Sequence, residues 1–237
     1  MRHFGIIGFP LLHSFSAKYF SEKFVHEKID AEYSLYPIEE LTKERVNELL
    51  DGLDGMNVTM PHKQAIIPYL ERLDDTAAEV GAVNVICKRV GYNTDCLGFI
   101  ESIKPLLRDF DKKALVLGTG GASKAVCYGL KQLGVSPTLV SRTPEKGMLG
   151  YDELNAAVMA EYTVIVNCTP LGMLPDIDSC PAIPYEQISV RHLLFDCVYN
   201  PEETLFLKKG KAQGATIQNG MGMLFGQAKA AWKIWNR

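Results

Sequence analysis

ALVLGTGGASKAV (114–126) decides the fold: an apolar strand, expected at 113–117, runs through glycines into a helix. A dinucleotide-binding βα unit needs this strand, turn and helix in this order. Gly118 makes the tight turn, and Gly120 lets backbone approach a pyrophosphate, with Thr119 between them. Gly121 and Ala122 then open a helix N-terminus, whose amides and partial positive charge face an anion. A strict G-x-G-x-x-G would put its third glycine at 123, where this chain has Ser123; Gly121, Ala122 and Ala125 keep the loop small instead. A plain tight βα turn has the same composition, so the stretch by itself leaves both readings open.

The following strand separates the cofactors. NAD sites commonly place Asp or Glu about 20 residues on, against the ribose 2′-hydroxyl. Here the region reads TLVSRTPEK (138–146), and the tip Ser141-Arg142-Thr143 carries no acid. An Arg between two hydroxyls, with Lys146 in support, suits a 2′-phosphate. NADP is therefore expected over NAD, with a solvated Arg on a turn as the alternative.

Strand and helix signals alternate on both sides of this turn. Further strands are expected at 136–140, 162–167, 193–197 and 214–218, with helices near 121–133, 151–160 and 202–212 and a last helix at 221–235. On the N-terminal side, strands at 3–9, 31–38 and 55–60 alternate with helices at 16–29 and 41–50. A short helix at 74–80 stops at Gly81, and 82–93 reads as a hairpin or strand. Leu97, Ile100, Ile103 and Leu107 recur at helical spacing across 94–107, with Pro105 near the end. Such alternation implies an α/β fold with parallel sheets covered on both faces.

At 237 residues the chain is about one and a half typical domains long. Its hydrophobic content of 47% excludes a disordered chain. Lys and Arg number 25 against 28 acids, so no nucleic-acid partner is expected. There is no long apolar run, and the N-terminus opens directly on a strand-like segment; neither a membrane span nor a signal peptide is expected. The cysteines at 87, 96, 127, 168, 180 and 197 lie scattered in apolar stretches without a C-x-x-C pair. They read as buried free thiols of a reducing, cytoplasmic compartment. The histidines show no ligand spacing with cysteines or acids, so no metal is expected.

Polar residues of the first half gather at strand ends, where parallel-sheet folds bind ligands. Ser14 and Ser16 follow the first strand and could hold a carboxylate, or Ser16 could simply cap the helix. NVTMPHK (57–63) sets Asn57, Thr59 and Lys63 around the third strand end. Lys63, in a mostly apolar stretch, suits proton transfer or snorkels to solvent; His62 is the neighbouring alternative. Asn84 lies on the next strand, where a buried amide needs partners. Asp95 follows Thr94 at a helix start, and either residue could be the cap. An ionised carboxylate there could also orient a Lys ammonium and a substrate hydroxyl.

The strings GFPLLHSFS (8–16), NVTMPHK (57–63), GAVN (81–84), NTDCLG (93–98), GTGGASKA (118–125), SRT (141–143), NCTPLGM (167–173), DCVYNPEETLFL (196–207) and NGMGMLFGQA (219–228) together resemble the shikimate dehydrogenase family, in order and over almost the whole chain. The resemblance implies a substrate domain at 1–98 and 220–237, and a smaller, Rossmann-like NADP domain at 99–219. It also implies a catalytic cleft between them and a last helix that packs back on the first domain. It implies that Ser14 and Ser16 hold a substrate carboxylate, and that Thr59, Lys63, Asn84 and Asp95 surround the hydroxyls and reacting carbon. Tyr199 and Gln227 would complete the substrate site. Gly118, Thr119, Gly120, Gly121 and Ala122 would cradle the pyrophosphate, and Ser141, Arg142, Thr143 and Lys146 the ribose phosphate. Cys197 and Gly220 would lie near the nicotinamide. The implied activity is NADPH-dependent reduction of 3-dehydroshikimate to shikimate, a step toward chorismate and the aromatic amino acids, with Lys63, Asp95 or the coupled pair carrying the proton. A quinate or shikimate dehydrogenase using NAD and a non-catalytic NADP-binding regulator are the rivals. A homodimer stays open. The chain departs from the family pattern at Ala17 and Phe20-Ser21, where Pro and His-Asn are usual, at Val85 for Thr and at Ser141 for Asn, and its loops between 143 and 195 are compact.

Overall fold

The computed structural model describes residues 1–11 and 14–237. They form two units, Met1–Thr94 with Gln227–Arg237, and Asp95–Gly226.

In the first unit, β1 (Arg2–Gly8), α1 (Phe15–His26), β2 (Ala31–Pro37), α2 (Lys43–Gly52) and β3 (Gly55–Val58) alternate, followed by α3 (His62–Ala65), β4 (Arg72–Leu73), α4 (Asp75–Val80), β5 (Val85–Cys87) and β6 (Val90–Tyr92). The sheet order is β2-β1-β3-β5-β6-β4. β1 pairs in parallel with β2 and β3, but β5 runs antiparallel to both β3 and β6. The sheet is therefore mixed. Only two residues, Lys88 and Arg89, join β5 to β6, both at positive φ, and so short a turn can link only antiparallel strands. Side chains alternate between the faces. Phe4 and Val85 pack with Phe20 and Phe24 of α1, whereas Ile7, Met56, Val58 and Ile86 pack with Val46 and Leu49 of α2.

The second unit opens with α5 (Asp95–Ile103). It continues through β7 (Lys113–Leu117), α6 (Gly121–Gln132), β8 (Ser136–Ser141), β9 (Leu149–Gly150), α7 (Ala156–Glu161), β10 (Val164–Asn167), β11 (Leu193–Asp196), α8 (Leu205–Ala212) and β12 (Thr216–Gln218) to α9 (Met221–Trp235). Its strands run β12-β11-β10-β7-β8-β9, all parallel. Val116, Val166 and Phe195 face Phe99, Ile103, Val126 and Leu130 of α5 and α6; Leu117, Ile165 and Leu194 face Met159, Phe206 and Leu207 of α7 and α8. Fully buried strands read as continuous apolar runs for this reason.

The expected helix 94–107 ends at Ile103 and tightens into a single 3₁₀ turn, Lys104–Leu106, at Pro105, which has no N–H to continue the ladder. The expected helix 151–160 is broken: one turn, Tyr151–Glu153, precedes α7, which Asn155 caps by accepting from the N–H groups of Ala157 and Val158. α8 starts later than expected because Thr204 caps it. β8 and β9 pair in parallel with only 142–148 between their paired ends and no helix in the connection.

The division of the chain falls at 94/95 and 226/227, where 98/99 and 219/220 were expected. α5 belongs wholly to the second unit because Phe99 and Ile103 lie in its core. α9 is shared: Met223 joins that core, whereas Ala228, Ala231, Ile234 and Trp235 join Phe4, Phe20 and Phe24 in the first unit. The second unit is thus the larger in residues, contrary to the smaller domain implied by the resemblance. No helix among the described residues is long and apolar enough to cross a membrane.

Candidate active site

A chain of buried hydrogen bonds organises the polar residues of the first unit. The Tyr33 hydroxyl on β2 donates to Asn57 Oδ1 on β3 (2.6 Å), and Asn57 Nδ2 donates to the Asn84 carbonyl (3.2 Å). Asn84 is 3% exposed, and its side chain is satisfied at both ends. Oδ1 accepts from Thr94 N–H (2.7 Å); Nδ2 donates to Thr94 Oγ1 (2.9 Å) and reaches Gln227 Oε1 on α9 (3.5 Å). At the other end of this chain, burial pushes the Tyr33 hydroxyl well above its ordinary value, while a hydrogen bond with the Ser16 side chain pulls it down. Ser16 and Gln227 are thereby ends of one network, although 211 positions of sequence separate them.

Ser14, not Ser16, is the N-cap of α1: its backbone is extended (φ −139°, ψ 124°), and its Oγ accepts from Ala17 N–H (3.3 Å). Ser16 lies buried within the helix. His13, beside it, falls outside the described residues. Thr59 follows β3, half-buried, its N–H donating to the Ile7 carbonyl. Lys63 is half-buried in α3. Its neighbour His62 is buried, with Nε2 2.6 Å from the Ile38 carbonyl. That contact calls for a proton on Nε2, whose hydrogen bond the carbonyl then accepts. Asp95 is the first residue of α5 and is buried.

In the second unit the chain leaves β7 for β8 on one side and later places β10 on the other. The crevice outside β7 and β10 is the switch point at which open parallel sheets bind ligands. Gly118 stands there at φ +101°, a conformation L side chains rarely adopt, with the Thr169 methyl group 3.1 Å from where a Cβ would stand. Gly120 precedes the first turn of α6, which holds no acidic residue, and the space around it is open. Ser123, at the third fingerprint position, turns its hydroxyl onto the Gly120 carbonyl (2.6 Å) and stays buried. The amides of Gly121, Ala122 and Ser123 are first-turn donors without an intrahelical acceptor. Thr119 is exposed.

Ser141 ends β8, with its Oγ accepting from Thr143 N–H (3.2 Å), which closes a tight turn. Arg142, Thr143 and Lys146 are exposed on this turn. Burial raises the Tyr151 hydroxyl above its ordinary value, and the nearby Arg142 guanidinium opposes the rise. The fit to an NADP group is good: a glycine turn with open approach, orphan amides, and an Arg at the next strand tip, where Ser141–Thr143 holds no acid.

Cys197, Tyr199 and Gly220 collect at the ends of β11 and β12. Gly220 N–H donates to the Val198 carbonyl (3.1 Å), and the Cys197 carbonyl lies too close to Gly220 for any Cβ to fit. Cys168 and Cys197 bring their sulfurs to 3.7 Å, and the Cys168 thiol is pushed well up by burial and by its neighbour. All six cysteines are free, two buried and four half-buried. Among the described residues no group of three His, Cys, Asp or Glu side chains could hold a metal.

Tyr33, Asn167, Asp196 and Thr204 were not singled out from sequence. Asp196 did carry a signal, since an Asp closing the apolar run 193–195 must find partners.

Residues 6–86 match the family described as the shikimate dehydrogenase substrate binding domain. The NADP-type shikimate dehydrogenase of Methanococcus aeolicus is 36% identical over 252 residues, covering 98% of this chain and 90% of the relative. The crystal structure of shikimate dehydrogenase from Aquifex aeolicus superposes with a TM-score of 0.88 at 36% identity, over 100% of this chain and 92% of that one. That of the Thermus thermophilus enzyme, in complex with NADP(H) and shikimate, gives 0.88 at 29% identity, over 99% and 93%. The glycine turn, the strand-tip cations, the first-unit amide network and these full-length matches agree: the chain belongs to the shikimate dehydrogenase family.

Proposed function

We propose that the protein catalyses the reversible, NADP-dependent interconversion of 3-dehydroshikimate and shikimate, on the route to chorismate. The observation that carries the reading is the network that ties Asn84 to Thr94 and Gln227 directly ahead of Asp95, in a chain that also has the glycine turn and Arg142. The first unit holds the substrate. Ser14 and Ser16 hydrogen-bond its carboxylate, and Thr59, Asn84 and Gln227 orient the ring and its hydroxyls, with Tyr199 of the second unit as the remaining substrate residue. In the second unit, the turn from Gly118 to Ala122 holds a pyrophosphate, and Ser141, Arg142, Thr143 and Lys146 hold the 2′-phosphate. Cys197 and Gly220 border the nicotinamide. When bound, NADPH supplies the hydride for the ketone carbon.

The chain's own task is then to manage one proton and the charge that develops on oxygen. Lys63 donates to that oxygen or stabilises it, and Asp95 shares its hydrogen bonds. General acid–base help of this kind is worth about 10²–10⁴-fold. In the oxidative direction the same groups take the hydroxyl proton. The reading places the enzyme in the cytoplasm, in keeping with six free thiols. A homodimer completes it, and light scattering of the purified protein tests that part.

The deciding experiment is a comparison of NADPH and NADH formation by purified protein on shikimate and on quinate. Shikimate with NADP+ should give the highest kcat/KM. NADP+ binding without turnover of either substrate would replace this reading with a regulatory one.

A further inference from the structure

Asp196 has no part in the chemistry above, yet at 0% exposure it is the most deeply buried carboxylate among the described residues. It ends β11. Its Oδ1 accepts from Asn167 Nδ2 (2.9 Å) and Val198 N–H (3.0 Å), and its Oδ2 from the Thr204 hydroxyl (2.5 Å). Asn167 is aligned with it on β10 and carries the constraint sideways: its Oδ1 accepts from Thr169 N–H (3.0 Å) and from the Thr169 hydroxyl (2.7 Å). Val198 carries it forward, since its carbonyl takes Gly220 N–H. Cys197 and Tyr199 flank Val198 in the chain, and Gly220 is bonded to it. The three second-unit positions proposed to face nicotinamide and substrate are thus held through one residue whose N–H ends on Asp196. Burial pushes this carboxyl up to about 6 despite its three donors, so the fold keeps a charge here that an apolar residue would spare it.

We infer that Asp196, together with Asn167, is a positioning residue that fixes the Cys197–Tyr199 loop and Gly220 at the nicotinamide end of the site. The Arg142 tip is remote from it, because β8, with Arg142 beyond its tip, is separated from β11 by β10 and β7. What the loop does rests on the proposed function; what holds it does not.

The test uses the full chain carrying Asp196→Ala or Asp196→Asn. Asp196→Ala should lower kcat/KM for shikimate by at least about 100-fold and speed amide exchange at Val198 and Gly220 by at least about tenfold. The Kd of adenosine 2′,5′-bisphosphate, which carries the adenosine and its phosphates but no nicotinamide, should stay within about threefold. Asp196→Asn keeps one acceptor oxygen for Val198 and Asn167 and should recover about tenfold of the lost kcat/KM. The inference is overturned if Asp196→Ala keeps kcat/KM within about threefold of wild type. It is also overturned if exchange at Val198 and Gly220 is unchanged, or if binding at the adenosine end falls in step with activity. Should Asp196→Ala not fold, the Asn variant decides: a neutral oxygen accepts less strongly than a carboxylate, so Val198 exchange should rise by about threefold or more, and an unchanged rate overturns the inference. If wild-type protein forms no NADPH from shikimate, the proposed function fails, and the exchange measurement still decides the role of Asp196.

Discussion

Raising the pH should weaken the second unit through Asp196. Its carboxyl titrates near about 6 in the folded protein, against about 3.9 in an unfolded chain. Burial is the cause, and the hydrogen bonds from Thr204, Val198 and Asn167 only partly offset it. Between those two values the folded state binds more protons than the unfolded state. The contribution of Asp196 to stability is therefore highest below about pH 4, falls as the pH rises to about 6, and stays lower above it. A gap of about two pH units at about 1.4 kcal/mol each gives about 3 kcal/mol, with no discount for solvent at a side chain that is 0% exposed. Cys168 and Tyr185, which feel the same charge, are both raised by burial and stay neutral across this window. Asp111 moves the other way: burial opposes ionisation, but hydrogen bonds from Arg108 and Thr163 hold the carboxyl low. That effect is common to wild type and variant and cancels. Asp196→Asn keeps the shape and removes the titration. Urea unfolding of both proteins should show the difference shifting by about 2 kcal/mol in favour of the variant between about pH 4.5 and about pH 7.5, the first part of the change lying below that window. Parallel stability curves, or a shift toward wild type with rising pH, would mean that the hydrogen bonds outweigh burial, and the reasoning would fail.

Lys63→Ala should cut turnover by at least about 100-fold while the shikimate KM changes by less than about tenfold; steady-state kinetics with near-normal kcat would remove Lys63 from the proton path. Arg142→Ala should raise the KM for NADP+ by about tenfold or more and leave that for NAD+ within about twofold, since only the 2′-phosphate loses its charged donor. Asn84→Ala strands the N–H of Thr94, which is 0% exposed. It should cost about 2 kcal/mol in urea unfolding, and an unchanged midpoint would contradict the network.

The strands of the second unit were legible because each is buried on both faces, so 114–117, 164–166 and 193–195 read as unbroken apolar runs. The glycine turn and the cationic strand tip were legible because their chemistry is local. Two-residue strands such as β4 and β9 were not, since pairing with a neighbour is all that defines them. Ser14 and Ser16 have the same capping chemistry, and only the backbone angle at Ser14 chooses between them. The first-unit network was out of reach for a deeper reason. Tyr33, Asn57 and Gln227 lie on separate elements and Asn84 in the bend before β5, and Asn84 and Gln227 are 143 residues apart. No local pattern encodes who meets whom across that distance. The same holds for Asp196, visible as an acid closing an apolar strand, with Asn167 and Thr204 unassigned as its partners.

The shared helix α9 sets the order in which this protein can be finished during synthesis. Met223 belongs to one core, and Ala228, Ala231, Ile234 and Trp235 to the other. The second core waits for Met223, and the first is not complete until residues near 235 have left the ribosome, so the N-terminal strands must wait for their covering helix. Early β1–β3 contacts can form, but Phe4, Phe20 and Phe24 stay without the Trp235 side of their cluster until then. A nascent chain stalled before α9 would expose aromatic surface from the first unit and leave the second without Met223. Chaperone capture is therefore expected to peak just before the last helix emerges.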